Sequence, residues 1–160
     1  MEPHSAISLS KALKGNELLL VHRMLEEGAV VNGKDLDHWR PLHVAAYLGY
    51  ETLVQDLISH RANPNLLNDE QEAPLHLAAR QGHKEVVEIL LNHGARFKPR
   101  NKYGDTPLNE AVNSGHHEVA RYLRKRINLR MVTWIPACIK MCMRSSEESH
   151  EVNQHAVQDI

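Results

Sequence analysis

The chain has 160 residues, of which 42% are hydrophobic, a composition typical of a globular protein rather than a disordered one. Phe, Trp and Tyr make up only 4% of the residues, which predicts a core of packed aliphatic helices built from Leu, Val, Ile and Ala. The 19 Lys and Arg residues nearly balance the 20 Asp and Glu residues. The net charge of −1 lacks the broad positive field that non-specific nucleic-acid binding requires, so we predict no nucleic-acid partner.

The charges are segregated along the chain. Residues 1–118 carry a net charge of −4, residues 119–144 a net charge of +7, and residues 145–160 a net charge of −4. This distribution predicts a main folded region, a basic segment and an acidic tail.

The sequence contains no visible membrane span or export signal. Its longest apolar runs, such as residues 18–21, are far shorter than the roughly 20 residues that cross a bilayer. The two cysteines, Cys138 and Cys142, are too few for a disulfide framework. We therefore predict a location in the cytoplasm, with the nucleus as a second compartment, and no integral membrane segment.

A fixed period runs through the chain. The interval from Pro41 to Pro74 equals that from Pro74 to Pro107, each proline is followed by a leucine, and alanines and glycines recur at the same interval. These further repeated residues are Leu42, Leu75, Leu108, Ala45, Ala78, Ala111, Gly49, Gly82, Gly115, Ala29, Ala62 and Ala95. Equal spacing at so many positions indicates stacked repeats.

Each unit is predicted to fold as a turn, a helix, a tight turn and a second helix. In the last unit, Thr106 caps a helix whose first residue is Pro107 and whose end is marked by Gly115. The second helix is clearest at residues 85–92, where a wide apolar stripe is followed by Gly94, a residue suited to a left-handed helix end.

This pattern resembles the ankyrin repeat. The resemblance rests on Ala73 to Ala95 (APLHLAARQGHKEVVEILLNHGA), Arg40 to Tyr50 (RPLHVAAYLGY) and Gly104 to Leu123 (GDTPLNEAVNSGHHEVARYL). It implies an all-α solenoid of about four helix-turn-helix repeats with β-hairpin-like tips. The predicted segments are a degenerate amino-terminal capping repeat at 1–34 with one extra residue near Gly15, repeats at 35–67, 68–100 and 101–127, a basic amphipathic extension at 128–144, and a disordered acidic tail at 145–160.

Known catalytic and phosphate-binding motifs are missing from the sequence, and its carboxylates show no convergent pair. Six of the 12 histidines follow the repeat. By the resemblance, His43 and His76 occupy the position at which an imidazole bonds to the backbone of a neighbouring unit. We predict that the chain is not an enzyme and uses no cofactor and no metal.

A repeat stack exposes a concave surface of tips and first helices, which is its usual recognition face. By the resemblance, the variable contact positions predict a protein-binding surface formed by Leu36, Asp37, Trp39, Tyr47, Leu48, Asp69, Glu70, Glu72, Arg80, Gln81, Lys102, Tyr103, Asp105, Asn113 and Ser114. The aromatic residues in this set are predicted binding anchors. The alternative for Trp39 is packing against its own tip. The three acidic residues at 69–72 favour a partner with basic side chains, or else form a solvated face.

The basic segment forms a second candidate site. Apolar residues recur there at helical spacing from Leu123 to Met141, with Pro136 as a predicted kink, so the segment either covers the end of the stack or binds calmodulin or an acidic membrane. The residues of this candidate are Arg121, Arg124, Lys125, Arg126, Arg130, Trp134, Cys138 and Cys142. A zinc site made by the two cysteines with His150 and His155 is disfavoured, because their spacing is shorter than that of a zinc finger.

The sequence therefore predicts a monomeric, non-enzymatic interaction module, an adaptor or a competitive inhibitor, that binds a protein partner through its concave face and tips. One alternative is a calmodulin-responsive or peripheral-membrane adaptor that uses residues 121–144. Another is a regulator similar to cell-cycle kinase inhibitors. That family shortens the first helix of its second repeat, whereas residues 41–48 have the pattern of a full-length helix.

Overall fold

The computed structural model describes the backbone of residues 6–134 and the side chains of residues 9–128. This part of the chain contains eight helices and no strand. The helices are α1 (Ala6–Lys14), α2 (Leu18–Glu26), α3 (Pro41–Leu48), α4 (Glu51–Ser59), α5 (Pro74–Gln81), α6 (Lys84–Asn92), α7 (Pro107–Asn113) and α8 (His117–Trp134). With eight residues each, α3 and α5 have the same length, so the predicted full-length helix in the second repeat is confirmed.

The chain divides into two compact units, residues 1–124 and residues 125–160. In the first unit, α1, α3, α5 and α7 pack side by side in one layer, and α2, α4 and α6 pack against the helix that precedes each of them. This arrangement is the all-α solenoid that the repeat pattern predicts.

Proline residues set the start of three first-layer helices. Pro41, Pro74 and Pro107 each occupy the first turn of their helix, where a missing backbone N–H leaves no bond unmade. The predicted cap at Thr106 is confirmed, because its Oγ1 accepts the N–H of Asn109 at 3.3 Å. The sequence therefore encodes each helix start locally.

The two repeats that lack this threonine differ from one another. No side-chain oxygen caps the helix at Arg40 or at Ala73. At Ala73, however, the backbone N–H donates to Nδ1 of His76 at 3.0 Å. The imidazole thus replaces part of the missing cap in the third repeat, which the sequence reasoning did not foresee.

The core is aliphatic, as predicted. Leu57, Leu90 and Leu123 stand one repeat period apart on successive second helices, and each side chain is fully buried. Within the described part of the chain, the fully buried hydrophobic side chains are all Leu, Val, Ala or Met. The repeat period therefore stacks equal side chains into one continuous core.

The first repeat keeps the register of the other repeats without an insertion. Asn16 has a φ of 59°, the left-handed conformation that Gly49 adopts one period later with a φ of 77°. The next N–H, that of Glu17, donates to the carbonyl of Ala12 at 3.0 Å, as that of Tyr50 does to Ala45 at 3.1 Å. The predicted extra residue near Gly15 is therefore wrong, because asparagine tolerates the conformation that glycine takes in the other repeats.

Each of the last three repeats opens with a buried side chain that shapes its tip. Oδ1 of Asp35 accepts the N–H groups of Asp37 at 3.0 Å and Trp39 at 2.8 Å, and Asn68 and Asn101 hold their own tips in a similar way. The backbone N–H of each opening residue also donates to the carbonyl four residues later, at 2.7, 3.0 and 3.0 Å. The tips are thus hairpin-like, as predicted.

A second periodic asparagine fastens neighbouring repeats together. Oδ1 of Asn32 accepts the N–H of Asn63 at 2.9 Å, and its Nδ2 donates to the carbonyl of Arg61 at 3.1 Å. Asn65 makes the two equivalent bonds one repeat further on, at 2.8 and 3.0 Å. Each of these amides therefore ties the end of one repeat to the end of the next.

Replacing Gln71 with Gly is expected to raise the free energy of unfolding by about 0.5–1 kcal/mol, because a left-handed residue costs roughly 1–2 kcal/mol and glycine recovers part of that. Gln71 has a φ of 57°, at the tip position that Gly104 occupies with a φ of 84°. Urea denaturation followed by circular dichroism measures the change. The same substitution at Gln55, exposed on α4, is expected to lower stability by about 0.5–1 kcal/mol. Equal destabilisation by Gln71→Gly and Gln55→Gly would show that the left-handed conformation of Gln71 does not cost stability.

Candidate functional site

A groove lies beside the tip of the second repeat. Its volume is about 440 Å³, and it is lined by Lys14, Asp37, Trp39, Val44, Tyr47 and Leu48. The rings of Trp39 and Tyr47 meet edge to face, with centroids 5.4 Å apart and planes at 73°. Trp39 is also partly buried against the core, and the alternative that it packs against its own tip stays a prediction. The predicted residues Asp37, Trp39, Tyr47 and Leu48 are thus brought together.

Lys14 is a groove residue that the sequence analysis missed. Lys14 is the last residue of α1 and lies one repeat period before Tyr47, so the two residues occupy equivalent positions in their repeats. Its Nζ lies 3.0 Å from Oδ2 of Asp35 and also pairs with Asp37. Partial burial acts to lower the pKa of Lys14, but the hydrogen bonds to Asp37 and Asp35 outweigh it and the pKa rises. The lysine therefore fixes the second tip to the first repeat.

The predicted acidic patch is not a free negative surface. Asp69 pairs with Lys34 and lies 3.1 Å from Nδ1 of His38, and the hydrogen bond from the lysine lowers the pKa of Asp69. Glu70 pairs with Lys102, whose pKa is raised by this bond. Asp69 and Glu70 are thus each matched by a cation near a neighbouring tip, and a basic partner for this patch stays a prediction.

Glu72 and Arg80 belong to a buried ion network instead of an open contact surface. Glu72 is only 4% exposed and pairs with Arg80, whose Nε also donates to Glu110 at 2.9 Å. Asn101 donates to the same Glu110 at 2.8 Å. The hydrogen bond from Arg80 lowers the pKa of Glu110, and the bonds to both carboxylates raise the pKa of the guanidinium. The sequence indicates no convergent carboxylates, whereas two converge here on one arginine.

The remaining predicted contact residues lie on exposed or partly exposed positions. Leu36 and Tyr103 project into solvent at the second and fourth tips, and Nζ of Lys102 lies 5.0 Å from the centre of the Tyr103 ring. The other members of this group are Gln81, Asp105, Asn113 and Ser114. Tips three and four are linked directly, because the N–H of Lys102 donates to the carbonyl of Glu70 at 3.0 Å.

The buried histidines connect adjacent repeats, as predicted. Nε2 of His43 donates to the carbonyl of Glu72 at 3.0 Å, and Nε2 of His76 lies 3.1 Å from the carbonyls of Pro99 and Asp105. Burial lowers the pKa of His43 to about 4 and also lowers that of His76. Both rings are therefore neutral hydrogen-bond donors that hold the tips in place.

The second candidate site is only partly described. Arg121, Arg124 and Lys125 are exposed on α8, and Arg126 is partly buried. The backbone of α8 also includes Arg130 and Trp134, whose side chains lie outside the described residues. Cys138, Cys142, His150 and His155, together with the kink expected at Pro136 and the tail at 145–160, fall outside them as well.

In the described part of the chain, every helix is too short or too polar to span a bilayer. No group of three or more His, Cys, Asp or Glu side chains is arranged to hold a metal ion in that part either.

Comparisons with known proteins identify the repeat. A family model described as "Ankyrin repeats (3 copies)" matches residues 42–131. Two relatives, both called "Ankyrin repeat domain-containing protein 49" and from Bos taurus and Homo sapiens, are each 42% identical over 64 residues. The matched segment is 39% of this chain, and it spans only 27% of the length of either relative.

Proposed function

Because this chain belongs to the ankyrin-repeat family, we propose that it is a non-enzymatic recognition module that binds a protein partner through the groove beside Trp39 and Tyr47 and through the neighbouring tips. Ankyrin repeats are generally modules for protein–protein interaction. An adaptor or a competitive inhibitor is the role that fits such a module.

The edge-to-face aromatic pair is the observation that carries this proposal. Trp39 and Tyr47 present two large rings to a groove whose other apolar walls are Val44 and Leu48. Tryptophan and tyrosine are enriched among the residues that dominate binding energy at protein interfaces, because they bury much surface with few rotatable bonds. A groove of this size accepts one or two apolar side chains of a partner.

The rim of the groove adds polar selectivity to the apolar floor. Lys14 and Asp37 are paired with one another on this rim and both remain accessible to solvent. A partner that carries hydrogen-bonding groups on both sides of its apolar anchor satisfies these two charges, whereas an apolar ligand leaves them buried and costs binding energy. The groove therefore favours a folded protein or peptide segment over a small apolar molecule.

Changing Trp39 and Tyr47 to Ala together is expected to remove protein capture and to leave the helical content unchanged, because neither ring is fully buried. The measurement is quantitative mass spectrometry of proteins retained from a cell extract by the immobilised full-length chain. A protein that binds through the groove is expected to be retained at least about tenfold less by the double variant than by the unmodified chain. Circular dichroism checks the fold.

The matched control replaces Thr52 and Gln55 with Ala, since both are exposed on α4 of the same repeat and lie outside the groove. Retention equal to that of the unmodified chain is expected for this control. If every retained protein survives the change at Trp39 and Tyr47, the groove is not the binding surface. Retention that requires Ca²⁺ and ignores both variants points instead to the basic residues of α8.

A further inference from the structure

Three positions of the second layer mark its boundary with the preceding repeat: the outer two contact that repeat, and the middle one is buried. At the first, Nε2 of His83 donates to the carbonyl of Tyr47 at 2.9 Å. At the second, Leu53, Val86 and Val119 are 1%, 0% and 1% exposed. At the third, Oδ2 of Asp56 lies 3.4 Å from Nδ1 of His22 on the helix before it. These positions together form the surface on which a repeat packs against the one before it.

In the first repeat the same three positions hold Glu17, Leu20 and Arg23, and no repeat of the described chain packs in front of them. Leu20 is consequently 40% exposed, although its equivalents in the later repeats are fully buried. Its neighbour Leu19 is 87% exposed. The end of a repeat array normally presents a polar face. The outer face of the first repeat is therefore more apolar than the end of a repeat array usually is.

The arrangement of charge on this face determines which occupant fits it. Glu17 lies three residues before Leu20, and Arg23 lies three residues after it, so an acid and a base flank the leucine symmetrically on one side of α2. When two copies of such a helix pack antiparallel about a two-fold axis through Leu20, each glutamate faces the arginine of the other copy. The face is thus complementary to itself.

We propose that this amino-terminal face, defined as Glu17, Leu19, Leu20 and Arg23, binds a second copy of the chain and forms a symmetric dimer. The two leucines of each copy become covered at the centre, and two Glu17–Arg23 pairs form at the rim. Among the described residues of the opposite end, Arg124 stands at the position that the apolar Leu91 takes one repeat earlier. The dimer replaces the monomer that the sequence predicts, and it does not rest on the proposed function of the groove.

Sedimentation velocity of the full chain over a concentration series tests the dimer. We expect a reversible monomer–dimer equilibrium for the unmodified protein. Glu17→Arg and Arg23→Glu are each expected to raise the dimer dissociation constant about tenfold or more, because each creates two facing pairs of like charge. The double variant restores opposite charges across the axis, so its dissociation constant returns to within about twofold of the original.

The variants affect exposed side chains and leave the core intact, and Leu36→Asp at the second tip serves as a control for a change at an exposed leucine elsewhere. Dimerisation is expected to persist in that control. A protein that stays monomeric up to about 1 mM, or that forms a larger assembly, overturns the proposal. So does a double variant whose dissociation constant stays raised, or a Leu36→Asp variant whose dissociation constant rises as much as those of the charge reversals.

Discussion

Replacing Gly82 with Ala is expected to lower the free energy of unfolding by about 2–5 kcal/mol, whereas the same change at Gly115 lowers it by about 1–2 kcal/mol. Both glycines end a first-layer helix in the left-handed conformation, with φ values of 81° and 78°. A Cβ on Gly82 would lie 2.4 Å from Nδ1 of His116 in the next repeat, while one on Gly115 would meet no described heavy atom within 4 Å beyond its chain neighbours. Backbone strain is therefore common to both variants, and the steric clash is specific to Gly82.

A double-mutant cycle with His116→Ala separates the two effects. Removal of the imidazole opens the space that the new methyl group needs, so the cost of Gly82→Ala is expected to fall to about the 1–2 kcal/mol of Gly115→Ala. Urea denaturation followed by circular dichroism gives all four free energies. An unchanged cost in the His116→Ala background would show that the ring does not restrict this turn.

The parts of the fold that the sequence predicted are those encoded locally and repeated. Pro41 and its equivalents fix the helix starts, and the recurring aliphatic residues fix the core, because a constant period places the same side chain in the same environment each time. The left-handed turn at Asn16 follows the same period. The expectation of an extra residue near Gly15 depends on a glycine at this turn, although asparagine adopts the left-handed conformation as well.

The candidate site was harder to predict, because its chemistry depends on pairs between neighbouring repeats. Asp69, Glu70 and Glu72 are three acids within four positions, and each finds its cation at a different distance along the chain. Sequence spacing does not show which long side chains reach one another across a repeat boundary. Lys14, by contrast, could have been found, since it lies one period before Tyr47.

The exposed leucines of α2 show a limit of a different kind. The sequence analysis treated the first repeat as a cap because its opening residues depart from the repeat pattern, whereas a cap is defined by the polarity of its outer face. Leu20 follows the repeat pattern of Leu53 and Val86, which are buried by the repeat before them. The positions that face the preceding repeat become apparent only from the contacts between the later repeats.

Lowering the pH from 7.5 to 4.5 is expected to remove about 2–3 kcal/mol of stability through His43 alone. Its side chain is fully buried, and burial lowers its pKa from 6.5 to about 4. Between these two values the unfolded chain binds more protons at this residue than the folded chain does. The contribution is therefore fully present above pH 6.5 and is lost as the pH falls toward 4. His76, whose pKa burial also lowers, acts in the same direction.

A His43→Gln variant isolates this contribution, because the amide still donates to the carbonyl of Glu72 but does not titrate. Carboxylates such as Glu110, whose pKa is lowered by Arg80, also lose stability in acid, and they do so equally in both proteins. The loss between pH 7.5 and 4.5, measured by urea denaturation, should thus be smaller in the variant by about 2–3 kcal/mol. His60→Gln, a change at an exposed ring, should leave the loss unaltered. Equal losses in all three proteins would mean that His43 accepts a proton within the folded stack, and its bond to the next repeat would then not require a neutral ring.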